Sequence, residues 1–298
     1  MAATLTIQPL DLQDPADYRR CRELQRLVFG EAFDPAMLEH ARDCHPATFV
    51  LGCWDGDRLA GCNGFLAHPV RLGDRSALAY QSCISATHPE YRGRRIFQSL
   101  IDSARATLKQ RGAAFMFGFP NENSEPIFVK KLGFRRIERR MALMPLPAAA
   151  PLLTACYASA PLDMSGAGAA TVVTFDARAT SIWKSRSPAG PIEIVELGAS
   201  LLLGRVTDIR MLGRPARLLL VGGYEARDRR AFGSLLAKAR RQTGASLAGC
   251  MLPADAPLAR AARIPLKDNR VAPFIVHPLA WSLEGLTFNA WESLLDIY

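Results

Sequence analysis

SCISATHPEYRGRRIF, Ser82 to Phe97, is the stretch on which the fold turns. It reads as a strand leaving a core (Ser82–Thr87), a Pro-containing turn, an Arg-Gly-Arg-Arg loop and the start of an amphipathic helix. A strand that runs through such a loop into a helix leaves the first backbone N–H groups of the helix unpaired, at the positive end of its dipole. That is a ready anion site. Arg92, Arg94 and Arg95 add charge around it, and Gly93 lets the backbone approach a ligand with no Cβ in the way. Taken alone, the run is equally well explained as a strand–turn–helix with a basic turn.

The flanks give it a setting. Thr4–Leu10 alternates like a strand, and Pro15–Phe33 and Pro35–Asp43 have helical periodicity, the second opening on Asp34 as cap. Thr48–Trp54 and Arg58–His68 are apolar runs joined at Asp55-Gly56, which predicts a hairpin. Ala77–Thr87 is the next strand. Phe97, Leu100, Ile101, Ala104 and Leu108 recur at helical spacing, which predicts a helix from about Arg94 to Gln110. A strand at Ala113–Phe119, a short helix at Ser124–Leu132 and one strand at Phe134–Met144 follow.

Downstream of the first run comes GFPNENSEPIFVKKLGF, Gly118 to Phe134. The order strand, HPEYRGRR loop, helix, strand, N-x-x-S helix and LGF resembles the GNAT superfamily of acyl-CoA N-acyltransferases, in the form with an FPN-x-x-S segment and a second, divergent GNAT-like half. The resemblance covers Thr4–Met144 in element order, with its motifs in Ser82–Phe134. It implies an α/β fold (an α+β mixed sheet) of two tandem GNAT-like domains, the second degenerate. It also implies acetyl-CoA as co-substrate. The backbone of Ser85, Ala86 and Thr87 would pair with the pantetheine arm. Arg92, Gly93, Arg94, Arg95, Ile96, Phe97 and Gln98 would hold the pyrophosphate. Asn121 and Ser124 would lie near the thioester, where a backbone N–H stabilises the developing oxyanion. Glu122 is the candidate catalytic base, with Tyr80 or Glu90 as substitutes.

Two departures stand out. The family's loop often reads R-G-x-G-x-G or R-G-x-G-x-A, and here Arg95 and Phe97 take the second and third small-residue places. The tyrosine often found seven residues after the Asn is replaced by Phe128, or by Val129 when counted back from Leu132-Gly133-Phe134. Neither has a proton to give. CoA thiol is a good enough leaving group for water to serve.

From Pro145 to about Ala170 the composition shifts to Pro, Ala, Gly and Ser, which reads as a linker. The expected division is therefore residues 1–145, a linker 146–170 and a second domain 171–298. Strands are expected near Ile192–Leu197, Ser200–Thr207, Ala216–Tyr224, Ser246–Leu252 and Pro273–His277, with a helix at Asp228–Gln242. The second half repeats the first: RRIFQSLIDSAR (Arg94–Arg105) and RRAFGSLLAKAR (Arg229–Arg240) agree at seven of twelve positions. Such self-similarity suggests duplication of a supersecondary unit. Extended backwards, the register sets Glu225 on Glu90, Arg227 on Arg92 and Asp228 on Gly93, which predicts a second site closed by its own cap. Trp183, beside Lys184 and Arg186, is a further residue suited to lining a cleft. The tail Trp281–Tyr298 is expected to pack back on the body.

Composition excludes several classes. The chain has 298 residues, 49% hydrophobic and 22% charged, with net charge +9 and mean hydropathy +0.03. That is ordinary for globular domains. No run approaches the ~18 apolar residues of a membrane span, and no secretory signal pattern opens the chain. The expectation is a cytoplasmic protein. Seven cysteines without a CxxC pair read as free thiols, and five histidines lack metal-ligand spacing, so no metal is expected. Its basic excess lacks the interleaved aromatics and reader motifs of nucleic-acid binders, which makes nucleic acid an unpromising partner. The function expected is N-acetyl transfer from acetyl-CoA to an amine of a small metabolite or amino sugar. The alternative is a catalytically inactive CoA-binding or structural GNAT-like protein.

Overall fold

The structure, a computed structural model, describes residues 4–137, 139–146, 172–211, 213–226, 228–253 and 273–289. The chain opens with β1 (Thr6–Leu10), α1 (Pro15–Phe29) and α2 (Ala36–Arg42). Both helices start on a carboxylate: Asp14 accepts from the N–H groups of Ala16 and Asp17, and Asp34 from that of Ala36. The periodicity that reads as helix to Phe33 ends at Gly30, whose φ of 59° closes α1.

β2 (Phe49–Asp55) turns through Gly56-Asp57 into the long β3 (Arg58–Leu72), and β3 turns at Gly73-Asp74 into β4 (Arg75–Thr87). α3 (Ile96–Gln110) follows, then β5 (Phe115–Gly118), parallel to β4, and α4 (Glu125–Lys131). α3 buries Ile96, Leu100, Ile101, Ala104 and Leu108 against Phe65, Ala67, Tyr80 and Met116 of the sheet. Full burial of one such Leu contributes roughly 1.5–3 kcal/mol, so this face decides where α3 lies.

Phe134–Met144, expected as one strand, is two. β6 (Arg135–Ile137) stays in the first sheet and β7 (Arg139–Pro145) joins the second. Beyond it lie β8 (Val172–Phe175), α5 (Ala177–Ser185), β9 (Glu193–Leu197), β10 (Ser200–Met211), β11 (Arg214–Glu225), α6 (Arg229–Thr243), β12 (Leu247–Pro253), β13 (Phe274–Pro278) and β14 (Thr287–Asn289). The first sheet runs β1-β2-β3-β4-β5-β13-β6, with β8 pairing the far end of β3 and β14 pairing β8. The second runs β7-β12-β11-β10-β9.

The chain halves therefore trade strands. β7, from the first half, pairs antiparallel with β12, while β13, from the second, lies between β5 and β6. β8 and β14 also join the first sheet. The composition break at 145–170 does not separate the sheets, because strand pairing follows the backbone ladder and not the order of the chain. Most residues of that break, and the tail from 290, lie outside the described residues. Trp281 and Leu283 pack against Phe115 and Phe274.

The second sheet repeats the unit of the first. β10 and β11 form a hairpin, α6 follows, and β12 is parallel to β11, as β5 is to β4. The connections differ: eight residues separate β4 from α3, and three separate β11 from α6. The backward alignment that set Glu225 on Glu90 does not hold in the structure, since Glu225 ends a strand and Glu90 sits in a loop. Arg227 lies outside the described residues.

Candidate active site

β3 and β4 pair in register from Leu72↔Arg75 to Gly64↔Cys83, and then slip: Cys62 faces Ala86. The extra residue sits in β4, and Ile84 takes φ 53° to absorb it. A β-branched residue there is strained by roughly 1–2 kcal/mol, and its neighbours hold it in place. Gln25, buried on α1, donates to the Ile84 carbonyl at 2.9 Å, and the Cys62 thiol reaches the same oxygen at 3.5 Å. Asn63, fully buried on β3, donates to Ser82 Oγ at 3.0 Å and accepts from the Ser85 hydroxyl. The bulge is thus fixed from both sides.

On its other edge β4 pairs with β5 only at Tyr80, Gln81 and Ser82. Past Ser82 the two strands part, and Ser85, Ala86 and Thr87 have no partner on that edge among the described residues. Their backbone groups can accept an added strand or an extended ligand.

The loop that follows is organised around Tyr91. Its hydroxyl donates to Asp55 at 2.6 Å, and the Arg58 and Arg94 guanidiniums lie 5.5 and 4.9 Å from its ring. Arg58 also pairs with Glu90 at 2.7 Å, which holds that carboxyl below its ordinary range. Gly93 (φ 80°) has open space where a Cβ would stand. Arg95 precedes α3 in the left-handed region, φ 59° and ψ 21°, and offers no side-chain cap to the helix. The first-turn N–H groups of Ile96, Phe97 and Gln98 therefore remain open among the described residues. Arg92 and Arg95 are exposed and make no ion pair among the described residues. Ile96 is buried, its methyl pressed so close to Gly61 that a Cβ there would fall at 2.6 Å. Phe97 is half-buried and edge-on to Phe128 at 5.1 Å, so it serves the α3–α4 packing. The places read as Phe128 and Val129 carry apolar packing residues of α4.

Asn121 and Ser124 come together in the turn from β5 into α4. Asn121 Oδ1 accepts from the N–H groups of Asn123 and Ser124, each at 3.0 Å, and Ser124 Oγ accepts from the Asn121 N–H at 3.1 Å. Glu122 lies on the same turn, exposed, with no hydrogen bond or ion pair among the described residues. Of its substitutes, Glu90 is bound to Arg58, and Tyr80 faces the α3 side of the sheet, where burial raises its phenol.

The opposite face of β3 and β4 carries groups the motifs do not point to. His68 and Gln81 are buried there, and α5 sets Trp183 and Lys184 over them. Trp183 stacks on His40 of α2 at 4.4 Å and donates its indole N–H to the His40 carbonyl at 2.7 Å. Burial, then the Lys184 charge, lowers the His40 imidazole to about 4. Between α2 and α5 lies a cavity of about 180 Å³, lined by Ala36, Glu39, His40, Asp43, Trp183, Arg186 and Pro188. Of these, only Trp183 and Arg186 stand out in the sequence as suited to a cleft.

At the corresponding place of the second sheet, β11 carries the extra residue, where Leu203 pairs with Gly223 and Gly204 with Val221. Asp228 caps α6, accepting from the Ala231 N–H at 2.7 Å. The first turn of α6 is thus occupied by a carboxylate where that of α3 is open. Among the described residues there is no His/Cys/Asp/Glu group fit for a metal ion, and no helix long and apolar enough to cross a membrane.

Residues 10–137 match the family described as "Acetyltransferase (GNAT) domain". No curated protein matches the chain. Solved structures that share its fold include a GCN5-related N-acetyltransferase from Kribbella flavida (15% identity, TM-score 0.58, 94% of this chain and 73% of that one). Another is a conserved protein of unknown function from Enterococcus faecalis V583, described as a probable N-acyltransferase (12%, TM-score 0.60, 93% and 72%). A third is Eis1 from Mycobacterium abscessus (14%, TM-score 0.55, 93% and 74%).

Proposed function

Because residues 10–137 match the GNAT acetyltransferase domain, we propose that this chain is an acyltransferase that moves an acetyl group from acetyl-CoA to the amine of a small metabolite or amino sugar. The observation that carries the reading is the parting of β4 from β5 beyond Ser82, at a pinned bulge, in a strand that ends eight residues ahead of a helix with no side-chain cap.

Each part of acetyl-CoA has a matching partner. The open edge at Ser85, Ala86 and Thr87 suits the amide-bearing pantetheine arm. The N–H groups at the start of α3, with Gly93 and the exposed cations of Arg92 and Arg95, suit the pyrophosphate. A backbone N–H at the bulge suits the thioester oxygen as it gains charge. The amine attacks the thioester carbon, the C–N bond forms, the C–S bond breaks, and the thiolate takes a proton from water. Asn121 and Ser124 shape the turn beside the splay. Glu122 on that turn is a candidate to take the amine proton through solvent.

The acceptor is assigned to the α2–α5 side. The carboxylates of Glu39 and Asp43 at the cavity suit a cationic amine, and about 180 Å³ favours a small one. The second half contributes α5 to this cavity and does not bind CoA in its own right. The test is release of free thiol from acetyl-CoA with a panel of amino sugars, aminoglycosides, polyamines and arylamines. Amine-dependent release supports the reading, and its absence across the panel sinks it.

A further inference from the structure

His68 is fully buried, yet among the described residues neither ring nitrogen has a hydrogen-bond partner; nor does Oε1 of Gln81, also buried, on the neighbouring strand. Leaving a buried donor or acceptor unsatisfied costs stability, and an apolar side chain of similar shape would avoid that cost. Two rings flank it: Phe117 lies 5.2 Å and Phe175 6.1 Å from the imidazole centroid, both edge-on. Gln81 leans on the ring from β4 without closing a bond of ordinary geometry.

What covers these orphaned groups is Trp183. Its indole is edge-on to His68 at 5.6 Å, with its other side lining the α2–α5 cavity. Trp183 and Ile84 both pack against the cluster of Ala41, Leu66 and Cys83. One flat side chain therefore touches the surface cavity on one hand and the imidazole on the other, and it shares a cluster with Ile84 of the bulge. Its position depends on the stack with His40 and on one hydrogen bond to a carbonyl, which a rotation of the side chain releases.

We infer that the Trp183 indole occupies the acceptor's place in the resting protein, and that once it swings aside His68, in place of Glu122, is the catalytic base, with Gln81 holding the amine by its amide oxygen. The inference rests on the acyltransferase reading of the β4 bulge. The amine nitrogen attacks the thioester carbon as the C–S bond breaks, its surplus proton passes through water in the opened slot to the imidazole, and the thiolate is protonated by solvent. Acceptors of this slot are small primary amines with a flat or narrow body, able to fill the volume an indole leaves.

The charges around His68 favour a neutral base. The Lys184 ammonium of α5 and the His45 ring before β2 both disfavour a second positive charge, as burial does most, and only Gln81 works the other way. His40 of α2, itself held neutral, completes the surroundings. Displacing the indole admits solvent and relieves part of the burial, which raises the imidazole's affinity for the proton it must take.

The test is His68→Leu, with His68→Asn as the second variant should the first not fold. Expected for either: acetyl-CoA affinity within twofold of the wild type, Tm unchanged or raised for Leu, and amine-dependent thiol release lowered about 10²–10⁴-fold. Any residual activity should lack the acidic limb of the pH profile. Trp183→Ala should lower KM for bulkier amines. Variants of His68 that turn over within threefold of the wild type overturn the inference while leaving the acyltransferase reading intact. So does a parallel loss of acetyl-CoA binding and Tm, which marks a structural role. A wild-type protein that acetylates no amine in the panel overturns both together.

Discussion

Replacing Arg95 separates the backbone demand of the loop from its charge. Arg95 sits at φ 59°, ψ 21° with its side chain exposed. The left-handed region costs an L-residue roughly 1–2 kcal/mol, and Gly escapes that cost while losing roughly 0.5–1 kcal/mol more on folding through chain entropy. Arg95→Gly should therefore be more stable than Arg95→Ala by about 0.5–1 kcal/mol, the reverse of their order in a helix. For a protein of this size that is roughly 1–4 °C in Tm. Both variants lose the same cation. A charge about 4 Å from a phosphate in water contributes about 1 kcal/mol, so both should bind acetyl-CoA up to about fivefold more weakly. Thermal unfolding and calorimetric titration of both variants measure the two effects. Equal stability, or Ala above Gly, would show that the position is not left-handed. Unequal loss of affinity would show that the charge is not what Arg95 contributes.

Asn121→Ala should lose about 1 kcal/mol through the turn it caps and lower turnover more than acetyl-CoA affinity, read by denaturant unfolding and initial rates. Asp228→Ala should lose about 1 kcal/mol through the cap of α6 without creating a second CoA site, and a titration reaching two per chain would refute this. Stability should fall as pH drops from 6.5 towards 4. The folded-state affinity of His40 for a proton is depressed to about 4 and that of His68 well below its ordinary value, so the neutral rings contribute stability above 6.5 that is lost as they are forced to protonate. His40→Phe should flatten that slope in urea titrations at pH 7.5 and pH 5.

Much of the first half was legible because its signals are local. The Asp-Gly turn, the spacing of Leu100, Ile101, Ala104 and Leu108, and the RGRR loop each report on residues near one another in sequence. Arg95 was legible as a small-residue place filled by another residue, while its left-handed backbone came only with the fold. What stayed hidden depends on distant partners. Gln25 and Asn63 look like isolated polar residues among buried neighbours, and only the fold brings both to the Ile84 bulge. A polar residue at a core position of α1, and an Asn between Cys62 and Gly64 in an apolar strand, were the available hints. The exchange of β7 and β13 left no mark, since a strand pairs with either sheet through the same backbone groups. β8, α5 and β14 are short or follow the low-complexity break, where no periodicity accumulates. The shorter β11–α6 connection misled an ungapped alignment, which set Glu225, an end-of-strand partner of Arg71 and Arg178, on a loop residue.

The most direct measurement of the central claim is a calorimetric titration of the intact chain with acetyl-CoA, beside the same titration of Gly93→Asp. One acetyl-CoA per chain is expected, and loss of most of that affinity when a carboxylate stands at Gly93, where the backbone (φ 80°) faces open space before the helix. Absence of binding, or binding as tight in Gly93→Asp as in the wild type, would contradict it.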